Sequence, residues 1–346
     1  MKRLRWFLIL VIFILAACGN DSVEKQTNES KEASGVSVDE TTEEVTAEET
    51  TEEVSVEGET LEEIEILDNG CYSDEIYIEH EQTCIKEIEC TDYESCIEWG
   101  NQLISNLEYD YGSLVAEESV ATDEEGLEVL VTYDIDLETE EISTLANVTD
   151  EELEWHGDLW FSFSWLIPEE YREAFNKFDV FESGNTLAYV VINDDYAEYW
   201  TLGMNNQNIE LASETLVTYL HEYAHYLSLN DKEVDYFTDE TGCNSVYIES
   251  GCLFEDAYIL DFYMQFWADG SYDEIDSYYV SGYAMTSPEE DFSESFAHFV
   301  LTQTPEANTI ADEKILWFYQ YEEFVQLRTE ILSRVATWMV RSVAME

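Results

Sequence analysis

This chain is short of positive charge. Its 346 residues include 13 lysines and arginines against 80 aspartates and glutamates, a formal net charge of −67. The excess runs through the aromatic-rich, core-forming part as well as the N-terminal stretch. Phosphate backbones would be repelled, which excludes nucleic acid as a partner. Anionic lipid headgroups would also be a poor docking surface. Two readings of the acidity remain. One is a solvated surface suited to saline or alkaline surroundings, where screening reduces self-repulsion. The other is selection for cationic substrates, which the even spread of acid along the chain disfavours. Histidine is scarce, with five in all, and no C-x-x-C pair occurs among the seven cysteines, which argues against a zinc knuckle. The apolar N-terminal run, Trp6 to Leu15, is too short for an ordinary membrane span.

That run follows Lys2, Arg3 and Arg5 and ends in Leu15-Ala16-Ala17-Cys18. Residues 1–17 resemble a bacterial lipoprotein signal peptide, with Cys18 as the acylated first residue of the mature chain. An ordinary secretory signal or an uncleaved anchor is the alternative. Acyl chains on Cys18 would tether the protein to the outer face of the cell membrane. Residues 18–68 are rich in Glu, Thr, Ser and Val and nearly devoid of aromatics. Such a stretch buries too little apolar surface to offset chain entropy and reads as a disordered acidic spacer. Export makes disulfides the default for the other six cysteines. Cys71, Cys84, Cys90 and Cys96 allow three connectivities. A Cys243–Cys252 bridge would stabilise by about 2.5–3 kcal/mol in the chain-entropy picture.

The expected fold class is α+β: a small N-terminal α+β region over 69–145, then a zinc peptidase domain over 146–346. Glu75 to Ile78 and Leu127 to Tyr133 alternate like strands, and Tyr93 to Leu107 reads as a helix. Glu151 to Phe178 reads as helical, broken near Pro168. Leu187 to Ile192 and Tyr199 to Leu202 read as strands, with Gly203 at a turn. Ser213 is the expected N-cap of the next helix, and Leu216, Leu220, Ala224 and Leu227 share one of its faces. Ala257 to Trp267 is apolar nearly all round, which favours a core helix over a sugar platform. From Ile310 the chain reads as one long helix or two, whose Arg328, Arg334 and Arg341 suit packing and ion pairs.

The most specific signal is His221-Glu222-Tyr223-Ala224-His225. Residues four apart share a helix face, so His221 and His225 can offer two imidazole nitrogens to one metal ion. Glu222 stands where a carboxylate could take a proton from water. A catalytic zinc needs a third protein ligand. Ser287-Pro288 reads as an N-cap and first helical residue. Glu290 would then stand at the third position, with Glu294 and His298 continuing its face. A capping box would explain Glu290 alone. Glu289, Asp231 and His298 are the competing ligands.

Here the residues carry a resemblance. Tyr283, Thr286, Glu290, Phe292, Glu294 and Phe296 fit the Y-x-x-T-x-x-x-E-x-F-x-E-x-F segment that follows H-E-x-x-H in gluzincin peptidases of the anthrax lethal factor and Pro-Pro endopeptidase type. The layout also resembles bacterial lipoproteins described only as zinc peptidases. The resemblance covers roughly residues 185–335; nothing N-terminal matches, and no substrate preference carries over. It implies a zincin-like fold and Zn2+ held by His221, His225 and Glu290. It further implies that Glu294 orients a ligand histidine, that Glu222 is the general base and that Tyr283 donates to the oxyanion. The expected activity is a membrane-anchored, extracytoplasmic metalloendopeptidase acting on protein or peptide substrates. The alternatives are a non-catalytic surface lipoprotein with a structural or vestigial zinc site, and an amidase acting on cell-wall peptide bonds.

Overall fold

The computed structural model describes residues 70–343 except 73, 89, 116–125, 185, 194–195, 207–211 and 271–274. They belong to one compact unit, 62–346. The signal segment, Cys18 and the spacer lie outside the described residues. Among these, no helix is long and apolar enough to cross a membrane.

The chain begins with a hairpin, β1 (Glu75–Ile78) and β2 (Thr83–Lys86), followed by α1 (Tyr93–Tyr111). Then come β3 (Glu128–Ile135), β4 (Ile142–Ser143), α2 (Asp150–Leu166), β5 (Phe175–Glu182), β6 (Ala188–Asn193), β7 (Tyr196–Asn205) and α3 (Ala212–Leu229). Short strands β8 (Val234–Asp235), β9 (Tyr247–Ile248) and β10 (Gly251–Leu253) follow. The rest is helical: α4 (Tyr258–Phe266), α5 (Ile275–Tyr278), α6 (Pro288–Leu301), α7 (Ile310–Phe318) and α8 (Glu322–Val343). The fold is α+β, as expected.

The main sheet runs β4-β3-β5-β7-β6, with β5 and β7 parallel and the other neighbours antiparallel. α2 covers it through Trp160 and Phe163, whose rings meet Phe178 and Phe175. Tyr219 of α3 joins the same cluster at Phe163. In the same core, Phe262, Phe292, Phe296, Phe299, Trp317, Phe318 and Phe324 bring α4, α6, α7 and α8 together. α4 is thus a core helix. Disulfides join Cys71 to Cys84, Cys90 to Cys96 and Cys243 to Cys252.

Several expectations are corrected. The helix expected through Phe178 ends at Leu166, because Ile167 precedes Pro168 and takes extended angles. Phe175 to Glu182 is a central strand instead. Gly203 lies inside β7 rather than at a turn: the Tyr189 ring crosses it so closely that a Cβ would stand 2.3 Å from ring carbons. α3 already includes Ala212, so Ser213 is not its N-cap. β3, from the 69–145 region, pairs with β5 in the main sheet. Arg328 makes hydrogen bonds to backbone carbonyls rather than an ion pair: its Nε donates to Phe299 O at 2.8 Å and its Nη2 to Thr302 O at 3.1 Å.

Candidate metal centre

α3 packs Leu216, Leu220 and Ala224 into the interior, which leaves the face of His221 and His225 turned toward α6. α6 begins as its sequence directs, with Ser287 accepting the Glu290 N–H at 3.2 Å and Pro288 in the first turn. Glu290 Oε2 faces the histidines rather than the cap. It lies 3.0 Å from His221 Nε2 and 3.2 Å from His225 Nε2, and the two nitrogens are 3.0 Å apart.

Each histidine is held from behind. His221 Nδ1 is 2.7 Å from Glu294 Oε1. A carboxylate only accepts, so Nδ1 carries a proton and Nε2 is the nitrogen turned toward His225 and Glu290. Glu294 is fixed in turn by the Ser281 hydroxyl, which donates to Oε2 at 2.7 Å and accepts the Ala284 N–H at 3.0 Å. His225 Nδ1 stands 3.1 Å from Ser293 Oγ. The Tyr283 ring stacks on His221 at 5.5 Å between centroids, tilted by 24°.

Two imidazole nitrogens and a carboxylate oxygen therefore converge on one point. Fully deprotonated, such a triangle repels itself, and a proton on an imidazole or a metal ion relieves it. The titration tendencies agree. Burial opposes charge on His221, yet Glu290 and Glu294 push its basicity well above the ordinary value. Burial likewise opposes the Glu290 anion, and His225 and His221 outweigh it, holding the carboxyl far below its usual range. The dimensions also suit a metal ion. Ligands about 2.0–2.1 Å from zinc stand about 3.3–3.4 Å apart along a tetrahedron's edges, close to the triangle found here. His221, His225 and Glu290 could thus hold a metal ion.

Glu222 is buried beside this cluster, with the Val190 N–H of β6 directed at its carboxylate; burial pushes its carboxyl up, against the pull of His221 and His225. Burial also pushes the Tyr283 phenol up, helped by Glu290 and Glu222, so it stays a proton donor.

The other candidates fall elsewhere. Asp231 lines a cavity of about 660 Å³ with Tyr223, Tyr226 and Asn230, on the face of α3 away from the histidines. Glu289 is buried next to Ser287, outside the cluster. His298 is a neighbour of Glu294 and no member of the cluster. Sequence reasoning missed Ser281 and Ser293. Ser293 stands three residues past Glu290, a helical spacing that could have found it; Ser281 lies in a loop with no periodic signal. No family model, no curated protein and no solved structure matches this chain.

Proposed function

We propose that the chain is a zinc metalloendopeptidase of the gluzincin kind, exported and anchored through Cys18 to the outer face of a bacterial membrane. The observation that carries this reading is the meeting of His221, His225 and Glu290 around one point, with Glu222 buried alongside. The three disulfides suit an oxidising, extracytoplasmic setting.

His221, His225 and Glu290 would hold the zinc, which when bound supplies Lewis acidity toward a peptide carbonyl and a water. Glu222 takes the proton of the attacking water and passes it to the departing amine. Burial raises its basicity above that of an exposed carboxylate, which favours its taking a proton. Tyr283 donates a hydrogen bond to the oxygen on which negative charge develops. Glu294 and Ser293 hold the imidazoles in the orientation that turns both Nε2 atoms inward. A purely structural metal site has no use for a buried carboxylate like that of Glu222, which favours an enzyme over a binding protein. The test is hydrolysis of a mixed peptide library by the zinc-loaded chain and by Glu222→Gln. Cleavage by the first and not the second supports the reading; equal cleavage overturns it.

A further inference from the structure

Asp291 follows Glu290 in α6, but its carboxylate faces α7 and α4. Lys314 Nζ of α7 lies 2.6 Å from Asp291 Oδ2, and the two side chains are 2% and 0% exposed. The same ammonium donates to Tyr278 O at 2.6 Å and sits 3.9 Å above the Tyr279 ring. Trp267 Nε1, just past the end of α4, donates to Asp291 Oδ2 at 2.7 Å, and Ser295 Oγ reaches Oδ1 at 3.4 Å.

A buried ion pair is a poor source of net stability, because desolvating both charges offsets their attraction. What distinguishes this one is what it joins. Tyr278 and Tyr279 open the segment that leads to Ser281 and Tyr283. Ser281 holds Glu294, Glu294 holds His221, and Tyr283 stacks on His221. On the other side, Asp291 belongs to the first turn of α6, which carries Glu290. An ammonium with three rotatable donors can serve a carboxylate, a carbonyl and a ring face together, which a planar guanidinium does less well.

We propose that Lys314 is a positioning residue for the metal centre, tying the α6 turn that carries Glu290 to the 278–283 segment that carries Ser281 and Tyr283. The inference rests on the zinc reading above. Without the ammonium, both segments lose a common anchor, and Glu290 and His221 drift independently.

The experiment uses the full-length, zinc-loaded chain as wild type, Lys314→Met, the double variant Asp291→Asn with Lys314→Met, and Leu103→Ala. The double variant leaves no uncompensated buried charge and carries the same prediction should the single one fail to fold. Leu103→Ala is a core truncation in α1, remote in sequence from the segments in question, that lowers stability by cavity formation. Zinc release to a chelator is timed well below the melting temperature, and amide exchange is followed over 278–287. The expected result is at least tenfold faster zinc release in both Lys314 variants than in Leu103→Ala, with faster exchange in that segment. Lowered melting temperatures with wild-type zinc release and exchange would overturn the positioning role and leave the zinc reading standing. A wild type that takes up no zinc would sink the zinc reading and this inference with it.

Discussion

In the proposed reaction Glu222 moves protons and Tyr283 supports charge, so their removal leaves different kinetic signatures. Glu222→Gln keeps the shape and the histidines' surroundings. It is expected to retain bound zinc and lose roughly 10²–10⁴-fold in kcat. Unchanged turnover would remove Glu222 from the chemistry. Tyr283→Phe removes a donor needed most when negative charge has developed, so kcat is expected to fall more than KM rises; a change confined to KM would make Tyr283 a binding group only. Another carboxylate reports on pH. Glu233 is buried, takes the Tyr258 N–H at 2.6 Å, and is pushed by burial up to about 7. In the unfolded chain it titrates near 4.3. Below that value both states hold the proton. Between there and about pH 7 the folded state keeps a proton the unfolded state has released, so stability falls as pH rises, by up to about 4 kcal/mol. Glu233→Gln keeps the acceptor and is expected to lose this slope. Denaturant unfolding at pH 4.5 and pH 8 checks it, and parallel behaviour of the two proteins would contradict the assignment.

The elements show which parts of the molecule were legible beforehand. α3 was readable from its own periodicity, because Leu216, Leu220 and Ala224 recur at helical spacing and all three are buried. The start of α6 was readable from Ser287-Pro288. β5 was not. Phe175, Phe178 and Phe181 recur every three residues, which mimics a helix face. The register against β7 slips between Phe175 and Lys177, which brings Phe175 and Phe178 to one face, while Phe181 on the other face packs against Tyr189; such a slip leaves no mark in composition. Ser281 and Lys314 were equally silent, since their partners are set by where loops and helices meet in space. Arg328 shows the same limit and gives a further prediction. From α8 it caps the last carbonyls of α6, and Gly100 of α1 makes room for it: a Cβ there would stand 2.4 Å from Arg328 Nη1. Arg328→Lys is expected to cost at least about 2 kcal/mol, as the fork is lost and carbonyls go unpaired. Gly100→Ala is expected to cost about 1–3 kcal/mol by overpacking. Because both act on one contact, the double variant should cost less than their sum. Additive losses in urea unfolding would show that the two do not share it.

At the scale of the whole molecule, the N-terminal region and the metal-site region share one sheet and one compact unit. β3 pairs with β5, and Asn101 of α1 meets both Thr304 and Arg328. Pairings of such long sequence separation have no local signature, which is why an N-terminal region without catalytic residues read as separate. The charge of −67 acts on the same scale. Self-repulsion weakens the folded state at low ionic strength, so the melting temperature is expected to rise steadily as salt goes from about 0.05 M to about 1 M. A flat or falling curve would mean that acidic neighbours are already neutralised in pairs.

The metal centre is tested most directly by zinc content per chain in the purified wild type and in Glu290→Ala, alongside a folding check by circular dichroism. About one zinc in the wild type and a sharp loss in the folded variant is the predicted result. A folded wild type without zinc would contradict the account, and zinc retained in full by Glu290→Ala would contradict the His221–His225–Glu290 ligand set.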